Sequence, residues 1–100
     1  MNKTMRFLVR AQIPTEAGNK MINNPKFMQN LEEYMKKVNP EASYFFEAGG
    51  DRTFAFIVNL DRADMIPTIA EPLFQDIGAK VEFHPVMVLE DLKKALGSPS

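Results

Sequence analysis

An α+β fold, with four antiparallel strands covered on one face by helices, is what this 100-residue sequence predicts. Three observations carry that prediction. Apolar residues alternate with period two in four stretches, recur at intervals of three and four in two longer ones, and fall in the order strand, helix, strand, strand, helix, strand. One hundred residues suit a single domain over 1–100, with its core over about 5–96 and tails at 1–4 and 97–100.

The elements follow in turn. In "MRFLVRAQI", Phe7, Val9, Ala11 and Ile13 share one side while Arg6, Leu8, Arg10 and Gln12 share the other, and Pro14 ends the strand. Thr15 is expected to cap a short helical turn reaching Asn23. Asn24-Pro25 then offers an N-cap followed by proline at the first helical position. Phe27, Met28, Leu31, Tyr34, Met35 and Val38 form one apolar stripe, and Asn39-Pro40 stops that helix.

Residues 44–60, "YFFEAGGDRTFAFIVNL", read as a hairpin turning at Gly49-Gly50-Asp51. Asp61 or Asp64 is expected to cap a second helix, with Met65, Ile66, Ile69, Leu73 and Ile77 inward. Pro67 suits its first turn, Pro72 predicts a kink, and Gly78 suits a left-handed closing residue. "KVEFHPV" alternates as a last strand. "LEDLKKALG" forms a short closing helix with Leu89, Leu92 and Leu96 on one side, and the tail "SPS" is expected to be loose. This element order is the ferredoxin-like βαββαβ arrangement: a four-stranded antiparallel sheet, helices on one face, and here a short C-terminal helix.

The rings of the hairpin set the next expectation. Phe54, Phe56, Val58 and Leu60 are the bulkier side of their strand and should face the helices with Phe7, Val9, Val81 and Phe83. Thr53, Ala55, Ile57 and Asn59 then look away. A two-residue turn sends Tyr44 and Phe46 to the helix-free face. A three-residue turn sends Phe45 there instead, because one residue of slip flips every side chain. Either way a large ring joins Leu8, Ala55, Ile57 and Val86 on a face that also carries Arg6, Arg10, Gln12, Asn59, Glu82 and His84. An apolar patch rimmed by both charge signs marks an interaction surface, and its simplest cover is a second copy related by a two-fold axis.

With "RFLVRAQIP" opening the first strand and "AKVEFHPVMVLEDL" running from the last strand into a closing helix, the chain resembles the dimeric α+β barrel superfamily. That group includes muconolactone isomerases, cofactor-independent antibiotic-biosynthesis monooxygenases and many small uncharacterised proteins, which it resembles most. The resemblance spans Met5 to about Leu96 and implies a fold and a homodimer through the helix-free face. No catalytic motif of those enzymes falls on these positions, so it implies no reaction.

Candidate chemistry rests on His84, the one histidine, which shares a strand side with Glu82 on a face that is also expected to carry Arg10 from the first strand. Cofactor-free proton transfer needs a group such as His84, with Glu82 orienting the ring and Arg10 holding an anion. The ordinary role for the same three residues is a cluster that fixes dimer register or is simply solvated. Tyr44, Phe46, Ile57, Asn59, Leu8 and Gln12 are the expected substrate-binding residues for a small anionic or aromatic molecule. A non-catalytic assembly module is the alternative. "RTFAFIVN" partly matches the aromatic motif of RNA-recognition domains, but Thr53 and Asn59 depart from it and Phe54 and Phe56 would have to point outward.

Composition narrows the classes further. Twelve basic against thirteen acidic residues supply no field for nucleic acid or anionic membrane. No cysteine and a single histidine give no metal set, no cofactor motif is present, and Gly49-Gly50 is a turn rather than a phosphate cradle. Arg6 and Arg10 interrupt the only apolar stretch of the N-terminal segment, so it does not read as a secretory signal, and a cytoplasmic location is the expectation.

Overall fold

The computed structural model describes residues 4–97 and has the expected class: an open, four-stranded antiparallel sheet with four helices. Strands β1 (Met5–Ile13), β2 (Ala42–Ala48), β3 (Asp51–Leu60) and β4 (Lys80–Pro85) lie in the order β2-β3-β1-β4. Helices α1 (Thr15–Asn23) and α2 (Phe27–Val38) connect β1 to β2, α3 (Ile66–Ile77) connects β3 to β4, and α4 (Leu89–Gly97) follows β4. The tail Ser98-Pro99-Ser100, expected to be loose, and residues 1–3 lie outside the described residues.

Period two becomes burial as expected. Val9, Ala11, Ile13, Phe54, Phe56, Val58 and Leu60 are buried on the helix side, and Phe7, Val81 and Phe83 are half-buried against them. Ala17 and Met21 from α1, Tyr34, Met35 and Val38 from α2, and Ile69, Leu73 and Ile77 from α3 complete this layer. Burying such side chains contributes about 1.5–3 kcal/mol each, which is the main force holding helices to sheet. Phe54 and Phe56 stack with ring centroids 5.8 Å apart, and Tyr34 meets Phe56 edge-on at 6.1 Å. The outward orientation that an RNA-contacting motif would require is therefore taken by neither Phe54 nor Phe56.

The hairpin register is the one set by a two-residue turn. Ala48 pairs with Asp51, Phe45 with Phe54 and Tyr44 with Ala55. Gly49 and Gly50 both have positive φ, 60° and 84°, a turn whose twist matches that of the strands. Phe45 stacks on Phe54 at 5.4 Å on the helix side, while Tyr44 and Phe46 face the other way.

Helix boundaries differ from the sequence expectations where side chains found other partners. Thr15 does not cap α1: Pro14 precedes the helix, and the Thr15 hydroxyl reaches the Asp51 carboxylate at 3.3 Å. Asn24 accepts from the Lys26 N–H through its side chain at 3.0 Å, and α2 proper starts only at Phe27, so Pro25 lies in the lead-in turn. Neither Asp61 nor Asp64 caps α3. A 3₁₀ turn over Ala63–Met65 precedes that helix, and Asp64 pairs with Arg62 at 2.9 Å. Helix α3 runs on through Pro72 and closes at left-handed Gly78, as α2 closes at left-handed Asn39.

Candidate functional site

The helix-free face is built from the register of three strand pairs. Ala42, Ile57, Leu8 and His84 form one row across the sheet. Tyr44, Ala55, Arg10 and Glu82 form the next, and Phe46, Thr53, Gln12 and Lys80 the one after. At the far end Arg6 lies opposite Asn59, and the Val86 N–H extends the ladder by donating to the Arg6 carbonyl at 3.0 Å. The rows divide the face. An apolar band runs from Phe46 and Tyr44 through Ala55 and Ile57 to Leu8, and a polar corner occupies the β1–β4 side.

In that corner one hydrogen-bonded chain crosses the sheet. His84 Nε2 lies 2.7 Å from Glu82 Oε1. Arg10 Nη1 donates to Glu82 Oε2 at 3.4 Å and to Gln12 Oε1 at 3.3 Å. Gln12 Nε2 in turn donates to Asp51 Oδ2 at 3.0 Å and to the Ala48 carbonyl at 3.3 Å. The hydrogen bond from His84, then the charge of Arg10, hold the Glu82 carboxyl below its ordinary range. With the carboxylate as acceptor, the short contact is a donation from the His84 Nε2–H. Both Arg10 contacts use one nitrogen and are long, which leaves the Nε and Nη2 donors to meet a carboxylate or phosphate side-on.

His84, Glu82, Arg10 and Gln12 are thus brought into one connected group, and Tyr44, Phe46, Leu8 and Ile57 border it on the same face. Asn59 is not part of it. Its amide and the Arg6 Nε both donate to Glu41 Oε1 at the opposite end, and the two bonds hold the Glu41 carboxyl low, Arg6 contributing most. Asp51 and Thr53 were missed by sequence reasoning. Asp51 read only as a turn residue, although a two-residue turn makes it the first residue of β3, within reach of Gln12. Thr53 is a polar residue on the helix-free side and yet is buried, 3% exposed, with its hydroxyl bonded to the Asp51 carbonyl at 3.0 Å.

A cleft of about 810 Å³ lies on the other side of the sheet and is lined by Ile13, Met21, Phe27, Tyr34, Phe54 and Ile77 among others. It forms because α2 buries none of its residues completely. The Tyr34 hydroxyl, which lines it, already donates to the Ile69 carbonyl at 2.7 Å, and burial pushes its pKa up. The cleft offers apolar packing, whereas the connected titratable groups are on the opposite face. Among the described residues no cluster of three or more His, Cys, Asp or Glu side chains has metal-binding geometry, and no helix is long and apolar enough to cross a membrane.

No protein-family model matches the sequence, and no curated protein is similar to it. Solved structures share the fold. An uncharacterised protein from Thermotoga maritima superposes with a TM-score of 0.58 at 10% identity, over 85% of this chain and 100% of that one. An unknown protein from Galdieria sulphuraria gives 0.54 at 17% identity over 87% of this chain, which spans 48% of that longer chain. Both are likenesses of small α+β architecture.

Proposed function

We propose that this chain is a ferredoxin-like protein that pairs through its helix-free sheet face with a second copy and binds a small anionic or aromatic molecule in the polar corner between them. The topology reading is supported by the strand order, which counted from the β4 edge is β4-β1-β3-β2 with every neighbour antiparallel. The single observation that carries the binding reading is the chain from His84 through Glu82 and Arg10 to Gln12, set beside exposed Tyr44 and Phe46. An anion meets the Arg10 guanidinium, and a flat ring lies along Leu8 and Ile57 in the neighbouring row. The same geometry supports cofactor-free proton transfer, with His84 Nδ1 taking a proton and Glu82 stabilising the imidazolium that results.

Native mass spectrometry of gently purified protein tests this reading, because it reports subunit number and any retained small molecule together. A dimer carrying a low-mass adduct that is lost in Arg10→Ala is the expected result. A strict monomer at micromolar concentration rejects the reading. His84→Ala separates the two roles of the histidine: an intact dimer with any turnover abolished assigns it to chemistry, and a weakened dimer assigns it to the interface.

A further inference from the structure

Helix α4 has an apolar side, and none of its residues is buried in the described chain. Leu89, Leu92 and Leu96 share a face at helical spacing and are 70%, 40% and 77% exposed. With Met87 and Val88 they supply five of the twelve exposed large hydrophobic side chains. A helix of nine residues is too short to persist in water on its own propensity, so a folded α4 requires a surface to lie on.

Its root shows which side that surface is on. The Val86 N–H is held by the Arg6 carbonyl, the Val88 N–H by Asp91 Oδ2 at 3.1 Å, and Arg6 Nη1 approaches the same carboxylate at 3.9 Å. The Arg6 side chain belongs to the helix-free face, so α4 departs from that face, away from the layer of α1, α2 and α3. We infer that α4 is an exchanged arm, whose leucines pack on the second copy's β2 edge where Tyr44 and Phe46 stand exposed. A two-fold axis parallel to the strands sets the β4 edge of one copy over the β2 edge of the other. That brings the arm of each copy to the β2 edge of the other, two such contacts per dimer.

Area favours a second copy as the occupant. Four strands at ~4.8 Å spacing and four same-face residues at ~6.8 Å give a face of about 500 Å². A stable pair needs about 800 Å² per partner. A nine-residue helix is about 13 Å long and presents a side about 10 Å wide, so giving one arm and receiving another closes most of that gap. The sheet face alone falls well short of that area, and the face with exchanged arms comes close to it.

This inference rests on the face-to-face pairing proposed above, and its test separates the two. The chain has no cysteine, so Tyr44→Cys with Leu92→Cys provides one unambiguous oxidative cross-link. A covalent dimer is expected from the double variant, and neither single variant should give the same yield. In parallel, removing residues 89–97, or introducing Leu92→Asp with Leu96→Asp, should weaken dimerisation at least tenfold by sedimentation, with circular dichroism confirming the sheet. An undiminished dimer after truncation overturns the arm and leaves the paired faces standing. A cross-link closed within a single chain overturns the exchange, because α4 then folds onto its own sheet. A full-length monomer overturns both.

Discussion

At the scale of single residues, two side chains show how the same physics separates packing from chemistry. Tyr34 crosses from α2 to α3 and donates its hydroxyl to the Ile69 carbonyl at 2.7 Å. Its ring still contacts Phe56 when the hydroxyl is gone. Tyr34→Phe should therefore cost about 0.5–1.5 kcal/mol in urea unfolding without changing the fold. Glu41 is the opposite case, an exposed carboxylate drawn down from its ordinary value of 4.5 first by Arg6 and then by Asn59. Its folded value lies below its unfolded one, so its contribution is complete above about pH 4.5 and disappears as pH falls through the lowered value. Glu41→Gln should flatten the acid limb of a stability-versus-pH curve on that side of 4.5 and leave the neutral region nearly unchanged. An identical acid limb in the variant would remove the Arg6–Glu41–Asn59 cluster as a source of acid sensitivity.

At the scale of elements, what was legible in the sequence was what depends on period. Alternation in Phe54, Phe56, Val58 and Leu60 assigned the buried side of β3 correctly, and it also put Arg10, Glu82 and His84 on the other. Capping was less legible, because Thr15 and Asp64 are ordinary cap residues whose oxygens were claimed by tertiary or neighbouring partners, Asp51 and Arg62. No local pattern announces such a claim. The hairpin register was open for a related reason: Gly49-Gly50-Asp51 fits a turn of two residues or three, and the choice is made by pairing along the whole strand. The outcome is testable at Gly50. A methyl group there would meet nothing within 4 Å, so any cost of Gly50→Ala is the cost of a left-handed backbone at φ 84°. That substitution should destabilise by about 1 kcal/mol, and Gly50→Asn by less, since asparagine tolerates positive φ. Equal losses for both variants would mean that the turn is not the one described.

At the scale of the whole molecule, shape is the informative quantity. The Cα radius of gyration is 15.8 Å and the principal extents are 56 × 30 × 18 Å, whereas a compact chain of this length measures about 13 Å. Helix α4 has no fully buried residue, and the second face of the sheet has no helices over it. A chain that leaves one sheet face and one amphipathic helix open has two unmet demands, and the proposed pairing with a copy would meet both at once. Proteolysis reads this directly, because Lys93 and Lys94 lie on α4 itself and cleavage requires the local backbone to open. In the proposed dimer trypsin should cut there slowly, and faster on dilution as arms are released. Ile57→Glu, which places a charge in the middle of the apolar band, should give a monomer cut at Lys93 and Lys94 at a high rate independent of concentration. Rapid cleavage of the wild-type chain at every concentration would show an arm that docks on nothing.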